Sequence, residues 1–118
     1  MTQQGAIAEQ LACDYLLKHN LKLVAKNYHC RRGEIDLIML DKSTLVFVEV
    51  RYRKSAKFGS ALESVNTQKQ QKIIYTAEHF LSNQKTTYPE YRFDVVAMMP
   101  NTQQKNEITW LKNAFQLN

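Results

Sequence analysis

Residues 34–40 and 45–53 form two runs dense in Ile, Leu, Val and Phe, separated only by the polar Asp41-Lys42-Ser43-Thr44. Such runs are strands, and the short polar gap makes them an antiparallel hairpin. Each run nevertheless contains a carboxylate: Asp36 in Gly33-Glu34-Ile35-Asp36-Leu37-Ile38, and Glu49 in Phe47-Val48-Glu49-Val50-Arg51. A carboxylate removed from water is costly unless it is paired or bound to a metal. Acids placed in neighbouring strands therefore ask for a cation.

Centring the turn between Lys42 and Ser43 places Asp36 opposite Glu49 and Glu34 opposite Arg51. One sheet face then carries Ile35, Leu37, Met39, Val46, Val48 and Val50. The other has Ile38, Leu40, Leu45 and Phe47 at its turn end and the charged residues at its open end. A one-residue slip would mix Val48 and Val50 with the acids, so the hydrophobic pattern itself selects the facing arrangement.

Around this hairpin, residues 4–19 read as an amphipathic helix with Ile7, Ala8, Leu11, Ala12, Tyr15 and Leu16 inward, stopped at Asn20. Residues 21–30 read as a strand. Residues 55–64, with Gly59, form a connection long enough to act as a flap. A second helix, capped by Asn66 or Thr67, buries Ile73, Ile74, Ala77, Phe80 and Leu81 and ends near Ser82 and Asn83. A strand follows at 92–99, containing Asp94, and an edge strand at 108–111. With 118 residues and no repeat or linker, residues 1–118 are expected to form a single domain.

The remaining chemistry is narrow. Cys13 and Cys30 lack zinc-type spacing and read as reduced thiols, and His19, His29 and His79 as surface or packing residues. No apolar segment is long enough to span a bilayer and no export signal opens the chain, so a cytoplasmic protein without a membrane partner is expected. Sixteen Lys and Arg against 11 Asp and Glu leave a net charge of +5. The excess is local: Arg31 and Arg32 precede the first acidic strand, and Arg51, Arg53, Lys54 and Lys57 end or follow the second. Lys69 and Lys72, one turn apart on the second helix, are either a solvated face or two more phosphate contacts, and a nucleic acid is the partner this pattern suits.

Phosphodiester hydrolysis needs charge neutralisation and an activated water, which a divalent ion held by carboxylates supplies. Asp36 and Glu49 are the expected inner ligands, Glu9 adds a third carboxylate if the first helix packs across the acidic end, and the carbonyl of Val50 is available as a neutral donor. A donor set without His or Cys points to Mg²⁺ or Mn²⁺. Arg51 shares a face with Glu49 and can stabilise charge on the phosphate, but a guanidinium is no general base. The same residues also admit an ion-pair network, Glu34 with Arg51 and Asp36 with Arg92 or a lysine.

Glu9, Gly33-Glu34-Ile35-Asp36-Leu37-Ile38, Phe47-Val48-Glu49-Val50-Arg51-Tyr52-Arg53, Phe58-Gly59, Lys69, Lys72 and Arg92-Phe93-Asp94-Val95-Val96 occur in an order and spacing that resemble the YraN-like family of uncharacterised bacterial proteins. The resemblance covers nearly the whole chain. It implies an α/β, restriction-endonuclease-like (tRNA endonuclease-like) three-layer fold, with a mixed central sheet flanked by helices and an α-β-β-β-α-β core. This fold is shared with Holliday-junction resolvases and other PD-(D/E)xK nucleases. In that pattern Asp36 and Glu49 are the metal-binding acids and Glu9 the helical acid of the resolvase-like branch. Arg51 stands at the position of the catalytic lysine, and Lys69 where an additional active-site residue is often found. Two departures are the arginine at that position and the lack of a proline before Asp36. The expectation is a Mg²⁺- or Mn²⁺-dependent nuclease acting on DNA. The alternatives are a binding module that has lost hydrolysis and a protein-interaction domain, and whether the protein forms a homodimer is left open.

Overall fold

The computed structural model describes residues 3–53, 65–100 and 106–116. Their order is α1 (Gln3–Lys18), β1 (Lys22–Cys30), β2 (Gly33–Asp41), β3 (Thr44–Tyr52), α2 (Thr67–Ser82), β4 (Glu90–Pro100) and β5 (Asn106–Phe115). The strands lie side by side as β1-β2-β3-β4-β5 in one sheet. Pairing is antiparallel except between β3 and β4, which run parallel. That parallel pair needs a crossover, and α2 lies in it. Among the described residues no helix is long and apolar enough to cross a membrane.

The helices cover opposite faces of the sheet. Ala8, Ala12, Cys13 and Leu16 of α1 bury against Leu37, Met39, Val46, Val48, Val96 and Met98. Ile73, Ala77 and Phe80 of α2 bury against Ile35, Ile38, Leu45, Phe47, Phe93 and Val95. The result is three layers, helix on sheet on helix, each face of the sheet supplying alternate strand residues. On α1, Ala8, Ala12 and Leu16 face inward as expected and Cys13 joins them, whereas Ile7, expected inward, is exposed. Asn20, at φ 70°, ends that helix: Leu21 N donates to Leu16 O and Asn20 N to Leu17 O, the paired bonds of a left-handed C-terminal cap. Asn66 caps α2 by accepting from Lys69 N at 2.9 Å.

The hairpin register is the expected one, Leu37 opposite Val48 through to Asp41 opposite Thr44. Regular pairing stops one step short of the acids. In β1, Asn27 adopts φ 51°, a left-handed conformation that asparagine tolerates better than most residues. Asn27 and Asp36 fall between the pairs Lys26–Leu37 and Tyr28–Ile35. On the turn side of this point Ala25 and Ile38 face α2; beyond it Tyr28 and Ile35 face α2 as well. An odd spacing on one face means that both strands roll over at Asn27 and Asp36. Ile35 is thereby moved from the face of Leu37 and Met39, where the alternation had put it, to the opposite one.

Gly33 fixes the distance between α2 and the start of β2. A Cβ there would stand 2.9 Å from Thr76 Oγ1 and 3.3 Å from the carbonyl oxygen of Lys72. Only a residue without a side chain lets the helix backbone lie this close, and that approach carries Lys69 and Lys72 to the acidic end of the sheet.

Candidate active site

Asp36 sits at the roll-over, where its carboxylate replaces a strand partner. Its Oδ2 accepts from the amide of Val50 at 2.8 Å. A strand N–H points along the sheet toward the neighbouring strand, so the Asp36 carboxylate lies in the plane of the sheet between β2 and β3. The carbonyl of a strand residue projects to the same edge as its amide, which turns the Val50 oxygen toward Asp36.

Two further acids reach this carboxylate, one from each face. Glu49 belongs to the α2 face and is only 7% exposed. Glu9 is half-buried on α1. Burial, then the neighbouring Asp36 charge, pushes Glu49 up to about 7. The same two causes in the same order push Glu9 up to about 7, opposed by a hydrogen bond from Asn27. Burial also raises Asp36, although the Val50 amide works in the other direction. Asp36 acts on both Glu9 and Glu49, so the three carboxyls are near neighbours, and like charges this close favour the protonated form of each.

The three acids therefore form a chain, Glu9 to Asp36 to Glu49, drawn from α1, β2 and β3. Among the described residues no three His, Cys, Asp or Glu side chains already surround one point as ligands of a metal ion do. The donor set nonetheless fits a hard divalent cation: three carboxylates and a strand carbonyl, all oxygen. Carboxylates bind such an ion only when deprotonated, so its entry would release protons from the raised acids.

Basic residues border the chain on the α2 side. Lys69 Nζ is 3.5 Å and Arg51 Nη1 is 4.0 Å from Glu49 Oε1. A groove of about 370 Å³ opens here, lined by Arg32, Glu34, Glu49, Asn66, Lys69 and Lys72 among others. Arg31 is exposed in the β1–β2 turn. Arg53 follows β3, its amide donating to Met98 O at 2.8 Å. Lys54, Lys57, Phe58 and Gly59, with the rest of the 55–64 connection, lie outside the described residues.

Of the partners that an ion-pair network would give Asp36, Arg92 is engaged elsewhere, whereas the Lys69 charge does act on it. Arg92 donates to Asp94 and Asp41, at 3.0 Å to each. Asp94 is fully buried and also accepts from Trp110 Nε1 at 2.8 Å and Asn113 N at 2.9 Å. It is a structural acid that ties β4 to β5, away from the chain of three. Cys13 and Cys30 are free thiols, the first buried and the second half-buried, as their spacing indicated. Sequence reasoning missed Asn27, whose left-handed conformation turns the strand and whose side chain counters the rise at Glu9. Its only signal was an asparagine inside a strand.

An α/β protein of three layers, with an acid chain at the open end of its sheet and a basic groove beside it, is the class that these features define. The chain belongs to the family described as "Uncharacterised protein family UPF0102", whose profile matches residues 8–98; this is the YraN-like family of the sequence resemblance. It is similar to a UPF0102 protein of Saccharophagus degradans, 51% identical over 98% of this chain and 95% of that one. It is similar to one of Legionella pneumophila, 50% identical over 98% and 97%. A third, from Psychromonas ingrahamii, is 47% identical over 96% and 89%.

Proposed function

We propose that this protein is a Mg²⁺- or Mn²⁺-dependent nuclease of restriction-endonuclease-like fold that hydrolyses DNA phosphodiesters. The observation that carries the proposal is the meeting of Glu9, Asp36 and Glu49 from three separate elements beside a lysine-lined groove. Structural ion pairs do not require three acids to gather around one another. The α-β-β-β-α-β order of the first six elements supports the fold assignment, with β5 added at the edge.

Asp36, Glu49, Glu9 and the Val50 carbonyl would hold the ion, which when bound neutralises phosphate charge and makes its water more acidic. The Val50 amide fixes the Asp36 carboxylate in the sheet plane. Lys69, beside Glu49, orients that carboxylate and presents a cation to the phosphate. Arg51 remains charged, so it stabilises the negative charge that develops on phosphate and leaves proton abstraction to a carboxylate. Arg31, Arg53, Lys54, Lys57 and Lys72 bind flanking phosphates, and Arg32 belongs to the same nucleic-acid interface at the groove edge. The reading places the protein with DNA, in the cytoplasm.

The guanidinium beside Glu49 favours one second reading, a DNA-binding module without turnover. Incubating the protein with branched, single-stranded and duplex DNA in Mg²⁺ or Mn²⁺ separates the two. Nuclease function predicts cleavage by the wild type and its loss in Glu49→Gln. Salt-sensitive binding with no products in either metal would leave the binding module. Equal cleavage by both proteins would show that the activity does not come from this centre.

A further inference from the structure

Tyr75 of α2 is 41% exposed, and the guanidinium of Arg32 lies over its ring, 4.6 Å from the centroid. Arg32 occupies the β1–β2 turn and lines the same groove as Glu49, Lys69 and Lys72. Tyr75 lines an adjoining hollow of about 330 Å³ with Gln71 and Ile74. A planar cation backed by an aromatic ring is thus held at the edge of the groove that carries the phosphate-binding lysines. A flexible ammonium would serve a phosphate equally well. A guanidinium fixed on a ring offers something more, a weakly hydrated flat surface on which another π system can lie.

We propose that Arg32, backed by Tyr75, is a stacking platform for an unpaired base of a DNA strand whose phosphate lies in the groove. Within a duplex both faces of each base are already covered by its neighbours, so a platform of this kind selects for single-stranded segments. Resting on the nuclease reading above, the inference assigns the enzyme a substrate class: DNA with an unpaired stretch next to the scissile phosphate, such as a splayed arm or a branch. Lys69 and Lys72 hold the backbone, the acid chain faces the scissile bond, and the platform takes the base that is free to turn outward.

Fluorescence anisotropy in EDTA tests the platform without requiring cleavage. The probes are a fluorescein-labelled duplex with one splayed single-stranded arm and a fully paired duplex of equal length. Arg32→Lys, which keeps the charge and removes the plane, is expected to weaken binding of the splayed probe about ten-fold. Binding of the paired probe should change less than about two-fold, and the salt dependence should keep its slope. Tyr75→Ala should follow Arg32→Lys, and Tyr75→Phe should behave as wild type. Equal weakening on both probes, no weakening on the splayed one, or failure of the wild type to prefer the splayed probe overturns the inference. If the platform effect is present but wild-type protein with Mg²⁺ or Mn²⁺ cuts neither probe, the nuclease reading fails and the stacking platform stands.

Discussion

Asp36→Asn is expected to lower metal-dependent cleavage by a factor on the order of 10²–10⁴ without unfolding the protein. An amide oxygen can still accept from the Val50 amide, now 2.8 Å from Asp36 Oδ2, so the strand geometry survives while the ligand charge is lost. The metal-free protein should even gain from the change in mild alkali. Glu9 and Glu49 are raised from the ordinary 4.5 to about 7 in the folded chain, so between these values the folded state binds more protons than the unfolded one. Stability therefore falls as pH rises from about 4.5 to about 7, and the strain is fully present above that window. Removing the Asp36 charge, a cause of both shifts, relieves part of it. Thermal unfolding at pH 8 in EDTA should show Asp36→Asn melting at or above the wild-type temperature. A variant that melts well below wild type would make Asp36 a structural acid like Asp94.

Asp94→Ala should have the largest effect on folding. Its carboxylate takes bonds from Arg92 Nε, Trp110 Nε1 and Asn113 N with no exposure to water. Truncation leaves these donors, one of them charged, without their acceptor, at a cost of roughly 3–5 kcal/mol. For a domain whose whole stability is about 5–15 kcal/mol, that is a large share. The unfolding midpoint should drop by on the order of 10–20 °C. Asp94→Asn, which keeps an acceptor for Trp110 or Asn113, should lose less. Scanning calorimetry checks the pair, and a midpoint within about 2 °C of wild type for Asp94→Ala would contradict the structural role.

The contrast between these two aspartates marks what the sequence could and could not convey. Both sit among β-branched residues, and nothing local separates them. Asp94 is defined by Trp110 and Asn113 on β5, a strand expected over 108–111 that in fact runs Asn106–Phe115. Its register against β4 shifts between Phe93 and Val95. The β2–β3 register was legible because two complete apolar sets would be lost by a slip. The position of Ile35 was not, because the roll-over depends on the left-handed Asn27 in another strand. That Glu9 lies near Asp36 depended on how the first helix packs and was otherwise supported by resemblance: a helical glutamate carries no mark of the sheet edge beneath it. Lys69 reaches Glu49 because Gly33 admits α2, a contact distant in sequence.

The central claim is that Glu9, Asp36 and Glu49 together bind one divalent cation, and calorimetric titration of Mn²⁺ into the protein at pH 7 tests it most directly. Burial and the Asp36 charge raise both glutamates to about 7, so the entering ion is expected to displace protons. The expected result is binding of one ion per chain, with a heat that changes between buffers of different ionisation enthalpy and vanishes in Asp36→Asn. No binding heat, or the same heat in Asp36→Asn as in wild type, would contradict the claim.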